Sequence, residues 1–519
     1  MPRNISVAEV RKHSSVESCW IVVDGQVYDM TSFAPSHPGG AQIIYRHGGK
    51  DASDQYNAVH APSLISKTLD AKHQVGTLDA QSAPADWNPA GAATPEPSAG
   101  KPPLARIINL HDFEAAARRS LSTPSWAYIH SAANDCITRD ANAAMLRRIW
   151  LRPAVMRDVG RVRTRTALFG CDLAIPVYVS AVGTVRAAAP DGELALARGA
   201  AAAGIVHCIS TAASYPLDEI LHATPARAWF QLYVNKDRRA TERLLRLVQD
   251  SGKVAAVMVT VDLPVISKRE EDERAQAADR PAADGKSAGM AAQTASFIDP
   301  RLTWSDIPWI RKGTTLPLLV KGIQRWEDAQ MAMRYGCDGI VVSNHGGRAA
   351  DTAQPAIITL LELHKNCPEV FDKLVVLVDG GFRRGSDVVK AVCLGASAVG
   401  LGRSFMYAVH YGEEGVVHAA NVLREEIEVA MRLCGMSDLM ADASPRYLNT
   451  KLVDGLVADR EHAYLREPKK RISKIPVNEA TLILQVQSTM TSYQYEAHPI
   501  DALAMVLVGP QLIKPDPTP

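Results

Sequence analysis

The hexapeptide Ser343-Asn344-His345-Gly346-Gly347-Arg348 sets an imidazole and a guanidinium three positions apart, directly after the apolar run Gly339–Val342. Imidazole takes up or releases a proton near neutral pH, and guanidinium grips a carboxylate through parallel N–H donors. The glycines between them let a ligand come close to the backbone. The spacing therefore offers a base beside an anion clamp.

Such side chains need a scaffold, and the chain supplies one by alternation. Short apolar, β-branched runs recur at 176–180, 205–210, 229–234, 255–262, 316–321, 339–344, 374–379 and 398–402, with helix-length segments between them. This pattern predicts parallel strands with crossover helices, and eight such units within about 250 residues predict a closed (β/α)8 barrel, an α/β fold. Barrel chemistry sits at the C-terminal ends of the strands. The polar residues fall there: Ser210, Gln231 and Tyr233, Thr260 and Asp262, Lys321, then His345 with Arg348. Buried Lys and Asp are costly unless paired or functional, so a purely structural role explains the set poorly.

Two glycine-arginine loops, Asp379-Gly380-Gly381-Phe382-Arg383-Arg384 and Gly400-Leu401-Gly402-Arg403, follow the seventh and eighth runs. Barrels commonly hold a phosphate at that place, on backbone amides and arginine. A phosphorylated cofactor is expected, although spacing does not name it.

Residues 1–79 read as a second, smaller α+β module. His37 opens the turn His37-Pro38-Gly39-Gly40, and His60 lies in Asn57-Ala58-Val59-His60-Ala61-Pro62 beyond a helical stretch. Two histidines so placed could ligate one metal from opposite sides, and neutral imidazole is a good haem ligand. Asp24-Gly25 in CWIVVDGQVYDMTSF (19–33) is a hairpin signal. His13, His47 and His73 lack this context and are expected to be solvated.

QLYVNKDR (231–238), TVDLP (260–264) with Arg269, VKGIQRWEDA (320–329), SNHGGR (343–348), DGGFRRGSDVVKA (379–391) and WAYIHSAAND (126–135) together resemble the FMN-dependent 2-hydroxy acid dehydrogenase and oxidase family, over about residues 107–436. The N-terminal motifs resemble a cytochrome b5-like haem domain. The order haem domain, linker, flavin barrel is similar to the flavocytochrome dehydrogenases of that family. The resemblance implies FMN and haem b as cofactors, with His37 and His60 as axial ligands. FMN would contact Ser180, Ala181, Val182, Gly183, Ser210, Gln231 and Thr260, with Lys321 near the N1/O2 edge of the flavin. Its phosphate would be held by Asp379, Gly380, Gly381, Phe382, Arg383, Gly402 and Arg403. Arg348 and Tyr128 would bind the carboxylate of an L-2-hydroxy acid, with Arg269 supporting the pocket and Tyr233 hydrogen-bonding the hydroxyl. His345 would remove a proton, and Asp262 would stabilise the imidazolium. Electrons would pass through haem to a soluble acceptor such as cytochrome c, and the same analogy implies a homotetramer.

Departures from the pattern bear on the substrate. Ala181-Val182-Gly183 stands where the lactate-oxidising flavocytochromes have Ala-Thr-Ala, and Ala212 stands where they have Leu. Both changes shrink side chains, so a bulkier 2-hydroxy acid is expected beside lactate. Pro124 and Gln276 replace a Gln and a Lys beside the haem domain, so docking is expected to differ. Two rivals remain: an oxidase that gives its electrons to dioxygen, and a haem-binding electron carrier with an inactive barrel. The fused haem module weighs against the first, and the intact polar set against the second.

The 519 residues include 57 basic and 56 acidic side chains, with no run of eighteen apolar residues, so neither nucleic acid nor membrane is an expected partner. Eight cysteines lie scattered without a CxxC pair, which favours reduced thiols. No presequence or peroxisomal SKL signal is seen, and a cytoplasmic location is expected. Residues 80–103, rich in Ala, Pro, Gly and Ser, read as a flexible linker, and 104–460 as the barrel domain. Within the barrel, about 268–296 reads as a mobile insertion that covers the site. Residues 461–519 carry no assignment.

Overall fold

The structure, a computed structural model, describes residues 3–84, 87, 100–278, 290 and 297–460. The N-terminal module is built on β1 (Asn4–Ile5), β2 (Trp20–Val23), β3 (Gln26–Asp29), β4 (Lys50–Asp51) and β5 (Gln74–Leu78), in the order β1-β5-β3-β2-β4. The β2–β3 hairpin turns at Asp24 (φ 49°) and Gly25 (φ 74°), the left-handed pair that a tight two-residue turn demands. Side chains alternate across this sheet. Val22 and Val27 join Ile5, Val7 and Val10 in one core, while Ile21, Val23 and Tyr28 join Met30, Ile44 and Ile65 in another.

Packing carries this module past residue 79. Val7 N donates to Ser82 Oγ at 2.9 Å, and Trp87, 6% exposed, sits in the first core. A buried indole contributes about 2–3 kcal/mol. Residues 80–84 and Trp87, read from composition as linker, therefore pack with the N-terminal module, while 85, 86 and 88–99 lie outside the described residues. Two of the histidines expected to be solvated are structural. The His13 ring stacks on Trp20 at 3.6 Å, and His73 Nδ1 lies 2.8 Å from the Asp29 carbonyl.

In the second region β6 (Trp150–Leu151), β7 (Thr166–Leu168) and β8 (Cys171–Leu173) precede eight strands that close into a parallel barrel. These are β9 (Val177–Val179), β10 (Val206–Ser210), β11 (Ala228–Leu232), β12 (Val254–Thr260), β13 (Leu318–Ile323), β14 (Gly339–Val342), β15 (Val375–Asp379) and β16 (Ala398–Leu401). A final strand, β17 (Leu448–Asn449), pairs with β6. Each predicted run overlaps one barrel strand. Tyr178, Cys208, Trp229, Met258, Leu319 and Leu377 form one core with Leu168 and Leu173 of the β7–β8 hairpin. Register then aligns the polar ends: Ser210 pairs with Gln231, Thr260 with Lys321 and Asp379 with Gly400.

The first turns of the predicted insertion form the helix Glu270–Ala278, whereas 279–289 and 291–296 lie outside the described residues, as does 461–519. No helix among the described residues is long and apolar enough to cross a membrane. All eight cysteines are free thiols, seven of them buried.

Candidate active site

A cavity of about 640 Å³ opens at the C-terminal ends of the barrel strands. Every barrel residue given an FMN, substrate or proton-transfer role by the resemblance lines it except Asp262, which stands behind His345. A polar row crosses three neighbouring strands. Ser210 Oγ donates to Gln231 Oε1 at 3.2 Å, and Gln231 Nε2 donates to Thr260 Oγ1 at 2.9 Å. Ser180 Oγ is buried with no hydrogen-bond partner. A Cβ on Gly400 would stand 2.3 Å from that oxygen, so only glycine fits beside it.

Lys321 Nζ donates to Ser343 Oγ at 2.9 Å and lies 3.4 Å from Asp379 Oδ2, while Ser343 Oγ donates to Asp379 Oδ1 at 2.5 Å. Burial pulls against the Lys321 ammonium, but the carboxylates of Asp379 and Asp262 outweigh it and hold its pKa above the ordinary value. The site thus keeps a permanent cation. Asp379, placed with the phosphate loop by the resemblance, has its carboxylate turned to Lys321 and Ser343. On the resemblance, the loops at Gly380–Arg383 and Gly402–Arg403 would then meet the phosphate without that carboxylate. Gly381 has φ 85°, and a Cβ there would meet the Asn142 backbone at 2.6 Å.

His345 adopts φ 57°, a left-handed conformation that costs an L-residue about 1–2 kcal/mol. Three contacts over-determine it. Its amide donates to Ser343 Oγ at 3.0 Å, its Nδ1 lies 2.9 Å from Asp262 Oδ1, and its Nε2 lies 3.5 Å from Tyr233 Oη. Facing a carboxylate, Nδ1 must carry the proton, which leaves the Nε2 lone pair toward the cavity. Gly322 makes room for this pair, because a Cβ there would lie 2.6 Å from the Asp262 Cβ. Burial opposes the Asp262 charge, yet His345 and Lys321 hold its carboxyl below the usual range.

Burial, aided by Lys321 and opposed by Asp262, lowers the His345 pKa from its ordinary 6.5. A base must be neutral, so its work is complete above the depressed value and lost as pH falls through it. The rate of flavin reduction in a single turnover is therefore expected to be flat through neutrality and to fall only on the acid side of 6.5. A half-point above 6.5 in a stopped-flow pH series would contradict this geometry.

Three guanidinium groups converge on the same space. Arg348 Nη1 donates to the carbonyls of Tyr128, Ile129 and Ser131 at 3.0–3.1 Å, with its guanidinium 5.4 Å from the Tyr128 ring centre. Tyr128 Oη in turn donates to the Gly183 carbonyl at 3.2 Å. Arg269 is buried and Arg403 half-buried, and no carboxylate lies within ion-pair distance of either among the described residues. Burial, with the Arg348 charge adding, pushes each down to about 9. So much uncompensated positive charge in a buried site is costly without anions to meet it. A substrate carboxylate at Arg269 and Arg348 and a phosphate at Arg403 and Arg383 would supply them. Arg383 is shared, since it also pairs with Glu114 at 3.1 Å. Together with the unpartnered Ser180 hydroxyl, these residues fit FMN.

In the N-terminal module the His37 and His60 ring centres stand 6.2 Å apart and perpendicular. Two metal–imidazole bonds of ~2 Å, plus ~1 Å from each ligating nitrogen to its ring centre, require a separation of ~6 Å. The pair fits a bis-imidazole haem iron. His37 Nδ1 lies 3.3 Å from the Gly40 carbonyl and must donate to it, which turns the Nε2 lone pair outward. Burial lowers both imidazole pKa values, and the His37 and Arg186 charges help push His60 down to about 4. Both rings are thus neutral and free to ligate at physiological pH. Tyr56 supports the second loop, its hydroxyl donating to the Ala61 carbonyl at 3.0 Å and accepting from Ile65 N at 2.7 Å.

Sequence reasoning missed several contributors. Ser343, inside the opening hexapeptide, was given no role, yet it links Lys321, Asp379 and the His345 amide. His130 lines the cavity and lies 3.1 Å from Glu271, which ties the insertion helix to the helix Thr123–His130. Its place in WAYIHSAAND was the available signal.

Comparison with known proteins agrees with this geometry. A profile of FMN-dependent dehydrogenases matches residues 117–450, and one of cytochrome b5-like heme/steroid binding domains matches residues 6–79. The L-lactate dehydrogenase (cytochrome) of Saccharomyces cerevisiae is 40% identical over 473 residues, covering 86% of this chain and 80% of that protein. Among solved structures, a mutant flavocytochrome b2 with benzoylformate is 40% identical with a TM-score of 0.63, covering 70% of this chain and 92% of that one. Mandelate oxidase with (S)-4-hydroxymandelic acid is 37% identical with a TM-score of 0.61, covering 66% of this chain and 98% of that one.

Proposed function

The chain belongs to the FMN-dependent dehydrogenase family, and from that membership we propose that it oxidises an L-2-hydroxy acid to the 2-keto acid and passes the electrons through its own haem domain to a soluble acceptor such as cytochrome c. When bound, FMN accepts the two electrons of the substrate C–H bond and haem b relays electrons singly. The protein positions the acid. Arg348 and Arg269, with the Tyr128 hydroxyl, hold the carboxylate, and Tyr233 Oη meets the hydroxyl. His345 Nε2 takes a proton, and Asp262 stabilises the imidazolium that results. Lys321 sets a positive charge at the flavin edge, beside Asp379 and Ser343.

The observation that carries the reading is the free edge of His345, held by Asp262 and facing Tyr233 inside an arginine-lined cavity. Air-saturated turnover with cytochrome c tests it. Two cytochromes reduced for each keto acid formed is the expected stoichiometry, since the acid yields two electrons. Stoichiometric hydrogen peroxide instead would identify an oxidase.

An aromatic or long-chain acid is the proposed substrate class. A Cβ at Gly183 would stand 3.1 Å from the Ala212 methyl and 2.6 Å from its carbonyl oxygen, so the two shrunken positions form one patch of cavity wall. The solved relatives with benzoylformate and (S)-4-hydroxymandelic acid support an aromatic acid as the substrate. Refilling the wall by Ala212→Leu is expected to lower kcat/KM for L-mandelate by about 10–200-fold relative to L-lactate. A strong preference for lactate in the unaltered protein sinks the idea. A homotetramer is also proposed. Trp150, Val155, Met156 and Leu433, between 57% and 99% exposed, offer apolar surface for assembly that sedimentation equilibrium would detect.

A further inference from the structure

The loop that carries His60 is held from both sides by the barrel. Arg186 Nε and Nη2 both donate to the Asn57 carbonyl, at 3.1 and 3.0 Å, three residues before His60. Ala61 N, immediately after it, donates to the Ser214 carbonyl at 3.0 Å. Beside them Lys67 lies 2.7 Å from Asp218 and 2.9 Å from Glu219.

The barrel side of this contact is held by the barrel's own residues. Arg186 Nη1 donates to the Pro190 carbonyl at 2.8 Å and to Tyr215 Oη at 3.0 Å, and the guanidinium lies over the Tyr215 ring at 5.6 Å. The barrel thus holds Nη1 and the guanidinium face, which leaves the Nε–Nη2 fork oriented toward Asn57. Beneath it the fully buried Glu193 accepts from the amides of Val185 at 3.1 Å and Ser214 at 2.8 Å, while Ser214 Oγ accepts from the Arg186 amide at 3.2 Å. One buried carboxyl therefore fixes both anchor points. The anchor also shares a loop with the flavin pocket, because Gly183, three residues before Arg186, lines the cavity.

We propose that Arg186 is the positioning residue that docks the haem module for electron transfer, with Lys67 and the Asp218–Glu219 pair as a salt-sensitive accessory. The inference rests on the function proposed above and adds no reactant. One hydroxy acid yields two electrons and two protons, each electron reduces one ferric iron, and the module must reach the barrel for both transfers. The paired donation to one carbonyl is a geometry that lysine cannot copy. The ion pair is exposed and screened by salt, so it contributes less than the Arg186 contact.

Arg186→Ala and Arg186→Lys in the full-length holoprotein test this. Anaerobic mixing with substrate should leave flavin bleaching within about twofold of the unaltered protein and slow haem reduction by about tenfold or more, with lysine only partly restoring it. A second readout is independent of turnover. Hydrogen–deuterium exchange at the Ala61 amide should accelerate by about tenfold in Arg186→Ala while the β2 and β3 amides stay protected, which separates undocking from unfolding. Unchanged haem reduction together with unchanged Ala61 exchange would overturn the proposal, as would full restoration by lysine. If no hydroxy acid bleaches the flavin of the unaltered protein, the proposed function fails, and Ala61 exchange alone still decides the clamp.

Discussion

Replacing His345 by glutamine is expected to slow flavin reduction by about 10²–10⁴-fold, the range attributable to a positioned general base. Glutamine keeps the length and polarity of the side chain but cannot take up a proton at neutral pH. Arg348, Arg269 and Tyr128 remain to hold the carboxylate, so substrate affinity should change little and the loss should fall on the rate of bleaching. FMN content should also be preserved, because the Ser210–Gln231–Thr260 row and the phosphate loops do not run through His345. Stopped-flow bleaching at saturating substrate measures the effect. A fall of less than tenfold would mean that another group removes the proton.

Removal of the His37 or the His60 imidazole should have an equally large effect on a different step. With ring centres 6.2 Å apart, His37 and His60 leave room for one iron between them. Among the described residues no cluster of three or more His, Cys, Asp or Glu side chains is placed to hold a metal. His60→Ala is therefore expected to abolish the low-spin haem spectrum and to lower cytochrome c reduction by at least about 10²-fold, a loss comparable to removing a metal ligand or its support. Flavin bleaching should persist, since the cavity lies in the other domain. Intact cytochrome c reduction in this variant would show that electrons leave the flavin directly. His37→Ala should behave alike, with the added loss of the bond to the Gly40 carbonyl.

The barrel was legible because its strands are continuous apolar runs that end in residues a core strand has no use for. Lys321 and Asp262 stand out in such runs by type alone. The hairpin at Asp24-Gly25 was legible for a similar reason, since few residues accept the left-handed turn. What the sequence could not reveal depends on contacts between distant positions. Trp87 looked like linker because its neighbours are Ala, Pro and Ser, yet it fills a core formed by strands far earlier in the chain. Glu193 has the look of an ordinary helix carboxylate until the fold buries it under Val185 and Ser214. Arg186 meets Asn57 across a separation of 129 residues, and no local pattern encodes that pairing. His13 was expected in solvent and instead stacks on Trp20 seven positions on, because the chain reverses between Ser14 and Cys19 just before β2.

Anaerobic stopped-flow mixing of the purified holoprotein with L-lactate, L-mandelate and a long-chain 2-hydroxy acid, with flavin and haem absorbance followed separately, tests the central claim most directly. The predicted result is flavin bleaching followed by haem reduction in the same molecule, faster with the bulkier acids than with lactate. A flavin that none of the three acids bleaches would contradict the account.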